Sequence, residues 1–153
     1  MDSGLKLAVI SLAAQDTGHE WVLYPLEHAL VYYLGSRGLM FEYEFSWPYY
    51  YPKQGLEQHD WTRGFKLIEY PHSLDLVADL EDSCFAGLLR SRRSSTVSFS
   101  PGPLATRNRR KYIHRLDRSQ ELKYSQLRTK VKAALDNPRH LLDACYRRYI
   151  REI

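Results

Sequence analysis

Two cysteines, Cys84 and Cys145, are all that this chain of 153 residues carries. That is too few for a disulfide scaffold and fits a reducing compartment. No apolar run approaches the roughly 18 residues that would cross a bilayer, so no membrane role is expected. Residues 7–14 could pass for a short leader core. Asp2 precedes them and no basic leader does, which argues against secretion and for a nuclear or cytoplasmic location.

The marks of catalysis are missing as well. The histidines (His19, His28, His59, His72, His114 and His140) are scattered, with no close HxH or HExxH arrangement. No glycine-rich phosphate loop follows a strand, and neither cysteine sits beside a histidine in a nucleophile motif. His59, Asp60, His72 and Cys84 would have to converge from distant positions to hold a metal. Glu42 and Glu44 share one face of a strand, which reads as a solvent-facing edge rather than an acid–base pair. The expectation is a binding protein that is not an enzyme and uses no cofactor and no metal.

What the chain does have is charge, divided in two. Residues 1–89 hold 5 Lys+Arg against 13 Asp+Glu, a net of −8. Residues 90–153 hold 17 Lys+Arg against 5 Asp+Glu, a net of +12. An acidic body followed by a basic arm either meets a polyanion or folds the arm onto the body. A contiguous positive face would favour the first, and basic helices laid against acidic residues the second. Aromatic residues are also plentiful, with 12 Tyr and 3 Trp. Such amphipathic rings suit surfaces covered by a partner or by another part of the fold.

Hydrophobic periodicity divides the chain further. Residues 5–12 (LKLAVISL) read as a buried strand, and 21–35 as a helix opened by Pro25 and stopped by Gly35. Residues 39–47 alternate cleanly, with Leu39, Phe41, Tyr43, Phe45 and Trp47 on one side, and predict a second strand. Residues 48–60 read as a long loop and 64–70 as a third strand ended by Pro71. Ser73 caps a helix whose apolar face is Leu74, Val77, Leu80, Cys84, Phe85 and Leu88. Residues 95–99 are a short fourth strand. Beyond Pro103 the spacing predicts two or three amphipathic helices, with Asn137-Pro138 as a capped restart. The expected fold is α+β: a ferredoxin-like split βαβ sandwich (βαββαβ) over residues 1–101, with a basic helical extension, 102–153, packing on it or projecting from it.

One local motif falls on the third strand of that order. Arg63-Gly64-Phe65-Lys66-Leu67-Ile68-Glu69-Tyr70 resembles the octapeptide signature of the RNA recognition motif family, a resemblance that covers about residues 5–100. It implies base stacking on Phe65 and a phosphate contact from Arg63. The chain departs from the family at Lys66, where a small residue is usual, at Leu67, where a second aromatic is usual, and in a first strand without an aromatic.

Because the body is acidic, phosphate binding is expected from the arm. Arg92 and Arg93, beside Arg90, precede Arg107, Arg109, Arg110 and Lys111, two clusters also spaced like a bipartite nuclear import signal. Arg107, Lys111, Arg115 and Arg118 recur at helical spacing and form one basic stripe if that segment is helical. Ser94 and Ser95 follow two arginines and Ser100 precedes a proline, so all three read as phosphorylation sites whose phosphate would subtract charge from the arm. Trp47, Tyr49, Tyr50 and Tyr51, with Trp61 beyond them, are costly to expose unless the basic helices or a partner cover them. The leading expectation is nucleic-acid binding, RNA before DNA. The alternative is a protein-interaction adaptor or assembly subunit, of the kind seen in compact viral accessory proteins, with that aromatic loop and the C-terminal helices as its interface. An acidic protein and a second copy of the chain are the further expected partners.

Overall fold

A computed structural model describes residues 1–53, 55–94 and 96–153. The chain opens with helix α1, Ser3–Asp16. The expected first strand is therefore a helix. Its apolar residues run all round the axis because nine of its positions are buried. An apolar run without periodicity cannot distinguish a buried helix from a buried strand. Asp2 sets the start, its carboxylate accepting from the Leu5 amide at 2.8 Å.

A two-residue strand, β1 (Val22–Leu23), leads into α2 (Tyr24–Gly35), which carries Pro25 in its first turn. Residues 41–47 alternate as the sequence predicts, with Phe41, Tyr43, Phe45 and Trp47 partly buried and Glu42, Glu44 and Ser46 exposed. They are extended, but the strand β2 begins only at Ser46 and runs to Pro52, inside the expected loop. Alternation records which side faces the core, whereas a strand also needs a partner backbone. β2 pairs antiparallel with β3 (Leu67–His72) and is bulged between Ser46 and Tyr49, where the Trp47–Pro48 peptide is cis. Pro71 lies inside β3 rather than ending it, at a position with no partner in the register.

Ser73 caps α3 (Leu74–Phe85) as expected, accepting from the Leu76 amide. The helix turns Leu76, Leu80 and Ser83 inward, and the expected core residues Leu74 and Phe85 are exposed. Strands β4 (Leu89–Arg93) and β5 (Val97–Pro101) form a hairpin, so the basic cluster Arg90–Arg93 is itself a strand. β5 also pairs with β1, giving a three-stranded antiparallel sheet in the order β1-β5-β4. Gly102 follows β5 because nothing larger fits. A Cβ there would sit 2.3 Å from the Gly87 carbonyl oxygen.

Four helices complete the chain: α4 (Pro103–Arg107), α5 (Arg109–Asp117), α6 (Tyr124–Asp136) and α7 (Pro138–Glu152). Asn137 caps the last, as expected. They do not project. α5 and α6 lie on α1, and α7 lies on α2 and β3. Leu116, Leu127, Val131 and Leu141 join Leu7, Ile10 and Leu30 in one hydrophobic core. The architecture is thus mixed α+β with two small antiparallel sheets. The ferredoxin-like sandwich is not confirmed: the segment expected to be its first strand is α1, and the strands divide between two sheets.

Candidate nucleic-acid interface

The basic stripe forms on one side of α1. Tyr112 and Leu116, four apart on α5, turn inward and leave Arg110, Lys111, Arg115 and, just beyond the helix, Arg118 on the exposed side; Arg107, at the end of α4, is exposed too. Among the described residues none of these five cations is in an ion pair. Arg109 differs. It binds Asp16 at the end of α1, and the Tyr124 hydroxyl donates to the same carboxylate at 2.6 Å. Burial works to raise the Asp16 pKa, but the Arg109 and Tyr124 bonds outweigh it and hold the group below the usual carboxylate value. Arg109 is thus an anchor for α5 rather than a free cation.

α5 runs back along α1. Its first turn meets Asp16, and beyond its last turn Glu121 pairs with Lys6, near the start of α1, at 3.0 Å. Arg128 on α6 adds its charge near Asp16. Of the basic half, only Arg90 and Arg109 reach a carboxylate of the acidic half among the described residues. Lys132, Arg147 and Arg148 pair instead with carboxylates of their own helices, whereas the stripe on α4 and α5 faces solvent.

A cleft of about 680 Å³ opens just beyond α1, lined by His19, Trp21, Trp61, Arg92, Ser94 and Asp136 among others. Period two along β4 places Arg90 and Arg92 on the same face, and both guanidiniums lie over the Trp21 ring, at 4.9 and 4.3 Å. Arg90 also bonds Glu20 at 2.9 Å. Arg93 faces the other way, into a separate pocket with Glu81 and Phe85. Trp61 is presented by a short 3-10 turn, Asp60–Thr62. That turn is held by the buried Thr62 hydroxyl, which donates to the carbonyls of His59 at 2.8 Å and Leu56 at 3.1 Å. His19 closes the floor by bonding Asp136 at 2.7 Å, and the bonds from Lys132 and His19 hold that carboxylate below its ordinary pKa.

The octapeptide does not present an open stacking face. Phe65 precedes β3 and lies beneath the Arg139 guanidinium at 4.5 Å, while Arg139 donates to the Arg63 carbonyl at 2.7 Å. The Arg63 side chain itself points into solvent. Helix α7 thus clasps the segment, and Tyr70 ends buried.

Most of the aromatic loop is used inside the fold. Trp47 packs on Tyr146 and Tyr149 of α7, at 5.7 and 6.1 Å. Tyr51 stacks on Tyr24, and Tyr49 stacks on His72 at 4.0 Å. His72 in turn stacks on His28 at 4.5 Å, and Tyr70 meets both histidines edge-on. The Tyr24 hydroxyl bonds His72 Nε2 at 3.0 Å, and His28 Nδ1 accepts from the Ser73 amide. Burial, reinforced by the nearby His72, pushes the His28 pKa down to about 3. Tyr49 and Tyr50 alone of the loop keep exposed rings.

The phosphorylation candidates separate. Ser94 is exposed on the β4–β5 turn at the rim of the cleft, and Ser95 lies outside the described residues. Ser100 is fully buried in β5, so its proline-directed reading is corrected: no kinase reaches it without unfolding the strand. Among the described residues, no group of three His, Cys, Asp or Glu side chains is placed to hold a metal ion, and no helix is long and apolar enough to cross a membrane. Sequence reasoning missed Trp21. The signal was Arg90 and Arg92 at alternate positions, visible only once residues 89–93 are read as a strand.

No family model matches this chain, and neither a curated protein nor a solved structure resembles it closely enough to indicate a relationship.

Proposed function

We propose that this is a non-enzymatic nucleic-acid-binding protein, taking RNA before DNA, that grips phosphates with the exposed face of α4 and α5. The observation that carries the reading is the run Arg107, Arg110, Lys111, Arg115 and Arg118: five exposed cations on one side, without a carboxylate partner among the described residues. At about 1.5 Å per helical residue, the stretch from Arg107 to Arg118 across α4 and α5 spans roughly 16 Å, room for several phosphates of one strand. Arg109, held by Asp16, keeps the stripe in place without contributing a free charge.

RNA is favoured over DNA by the cleft at the Asp16 end of the stripe. Trp61 and the arginine-covered Trp21 are surfaces on which unpaired bases stack, and His19, Ser94 and Asp136 offer donors and acceptors to base edges. Unpaired, splayed bases are commonest in single-stranded RNA. This role places the protein in the nucleus or the cytoplasm, wherever its RNA is.

The test is fluorescence anisotropy with a short labelled single-stranded RNA. Reversing Arg107, Arg110, Lys111 and Arg115 to Glu is expected to abolish binding while leaving the circular dichroism spectrum unchanged. Binding that survives this reversal but disappears when Trp47 and Tyr50 become Ala would overturn the reading.

A further inference from the structure

Helix α3 presents an apolar stripe to solvent. Leu74 is 77% exposed and Phe85 97% exposed. They lie eleven residues apart, about three turns, and therefore on one face, with Val77, Ala78 and Glu81 between them at helical spacing. A second face of the same helix, Leu76, Leu80 and Ser83, already packs on the core. Periodicity assigns Leu74, Val77 and Phe85 to the interior, yet among the described residues nothing covers Leu74 or Phe85. The helix carries Asp75, Asp79, Glu81 and Asp82 and no cation.

Helix α7 presents the counterpart. Tyr146 is 43% exposed and Ile150 46% exposed, four residues apart on one face, while Leu141, Leu142 and Cys145 face the core. Arg147 and Arg151 flank that face, and α7 as a whole carries four arginines against Asp143 and Glu152. The two helices stand on different supports: α3 on α1 and β4, α7 on α2 and β3. One chain thus displays two apolar stripes with solvent-facing surface, one on an acidic helix and one, partly packed on Trp47, on a basic helix.

We propose that a second copy of this chain covers α3 with its α7. The apolar stripes pack together, and Arg147 and Arg151 of one copy face Glu81 and Asp82 of the other. The contact is heterologous: the two surfaces differ, so every copy can both give and receive. It explains an acidic half and a basic half in one chain without requiring that either neutralise the other internally. Like-charged α3 helices would repel across a two-fold axis, which is why α7, not a second α3, is the occupant.

Sedimentation analysis of the RNA-free chain over a range of concentrations tests this. The wild type is expected to rise above its 18.0 kDa monomer mass as concentration increases, and to return to it as salt is raised. Phe85→Glu and Ile150→Glu are each expected to remain monomeric. Mixed in equal amounts they should form a one-to-one dimer, because the first keeps an intact α7 face and the second an intact α3 face. Leu74→Glu, at the opposite end of the stripe, should behave as Phe85→Glu does, and both residues are exposed enough to leave the thermal midpoint unchanged. A wild type that stays monomeric at all concentrations overturns the proposal and leaves the stripe to a different protein. So does a Phe85→Glu chain that still self-associates, or a mixture that stays monomeric.

Discussion

The aromatic knot around His28 and the basic stripe on α5 are the two features the sequence makes most conspicuous, and the fold treats them in opposite ways. Tyr24, His28, Tyr49, Tyr70 and His72 are drawn together, with ring centroids 4.0 to 6.3 Å apart. Arg110, Lys111 and Arg115 are turned out to solvent. The difference follows from solvation. A tyrosine ring gains by leaving water and can carry its hydroxyl to a partner, as Tyr24 does with His72. A guanidinium taken out of water must bring an anion with it, and of the basic residues on α4 and α5 Arg109 is the one that finds it, in Asp16. Stability is therefore concentrated in the knot and recognition in the stripe, and substitutions in each should have separable effects.

The largest effect is expected at Tyr70, which is buried and touches four other rings of the knot. Tyr70→Ala should lower the unfolding free energy by about 3–5 kcal/mol, as aromatic truncations in a core do. Chemical denaturation measures this. Unchanged RNA affinity in the fraction that stays folded would keep the two regions distinct.

A second effect comes from titratable groups that burial holds neutral in and beside the knot. Glu27 is buried with Oε1 unpartnered, and burial pushes its pKa up to about 8. His28 is pushed down to about 3, and His72 is lowered also by burial. Below the ordinary histidine value of 6.5 the unfolded chain takes up protons that the folded histidines refuse, so stability falls as pH drops. Above the ordinary glutamate value of 4.5 the unfolded chain releases a proton that folded Glu27 retains until about pH 8, so this contribution falls as pH rises. The two opposing slopes place the stability maximum on the acid side of neutrality, with stability falling as pH rises toward 8. Glu27→Gln should remove the alkaline loss and leave the acid limb. Thermal midpoints across that range check it, and an alkaline loss that persists in the variant counts against Glu27 as its source.

Smaller effects are expected at the cleft. Trp61→Ala should weaken binding of single-stranded RNA by about 1–2 kcal/mol, the contribution of one stacked base, and leave duplex binding unchanged. An equal loss on both would place the stacking elsewhere. Ser94→Asp adds one negative charge at the exposed rim near Arg92 and should cost under about 1 kcal/mol of RNA affinity at moderate salt.

Much of this was legible in the residues. The basic stripe, the Ser73 and Asn137 caps, the helix at Pro25 and the inward side of residues 41–47 follow from spacing alone. The errors share one physical origin: periodicity reports what a segment can bury, not what it meets. α1 is apolar on every side because α3, α5, α6 and β5 enclose it, and that erased the 3.6-residue signal. Residues 41–45 alternate like a strand yet lack a strand partner among the described residues. α3 has two apolar faces, and sequence could not say which one the core would take. The cleft depends on Trp21 meeting β4 some seventy residues later, a contact that no local pattern encodes.

The most direct measurement is the salt dependence of RNA affinity for the full chain, taken between about 50 and 200 mM salt. The five stripe cations, each neutralising one phosphate of a single strand, predict that log K falls linearly with log salt at a slope of about −3.5. Reversing Arg107, Arg110, Lys111 and Arg115 should remove the binding and the slope together. A flat salt response, or the same slope retained in the reversed chain, would contradict phosphate recognition by α4 and α5.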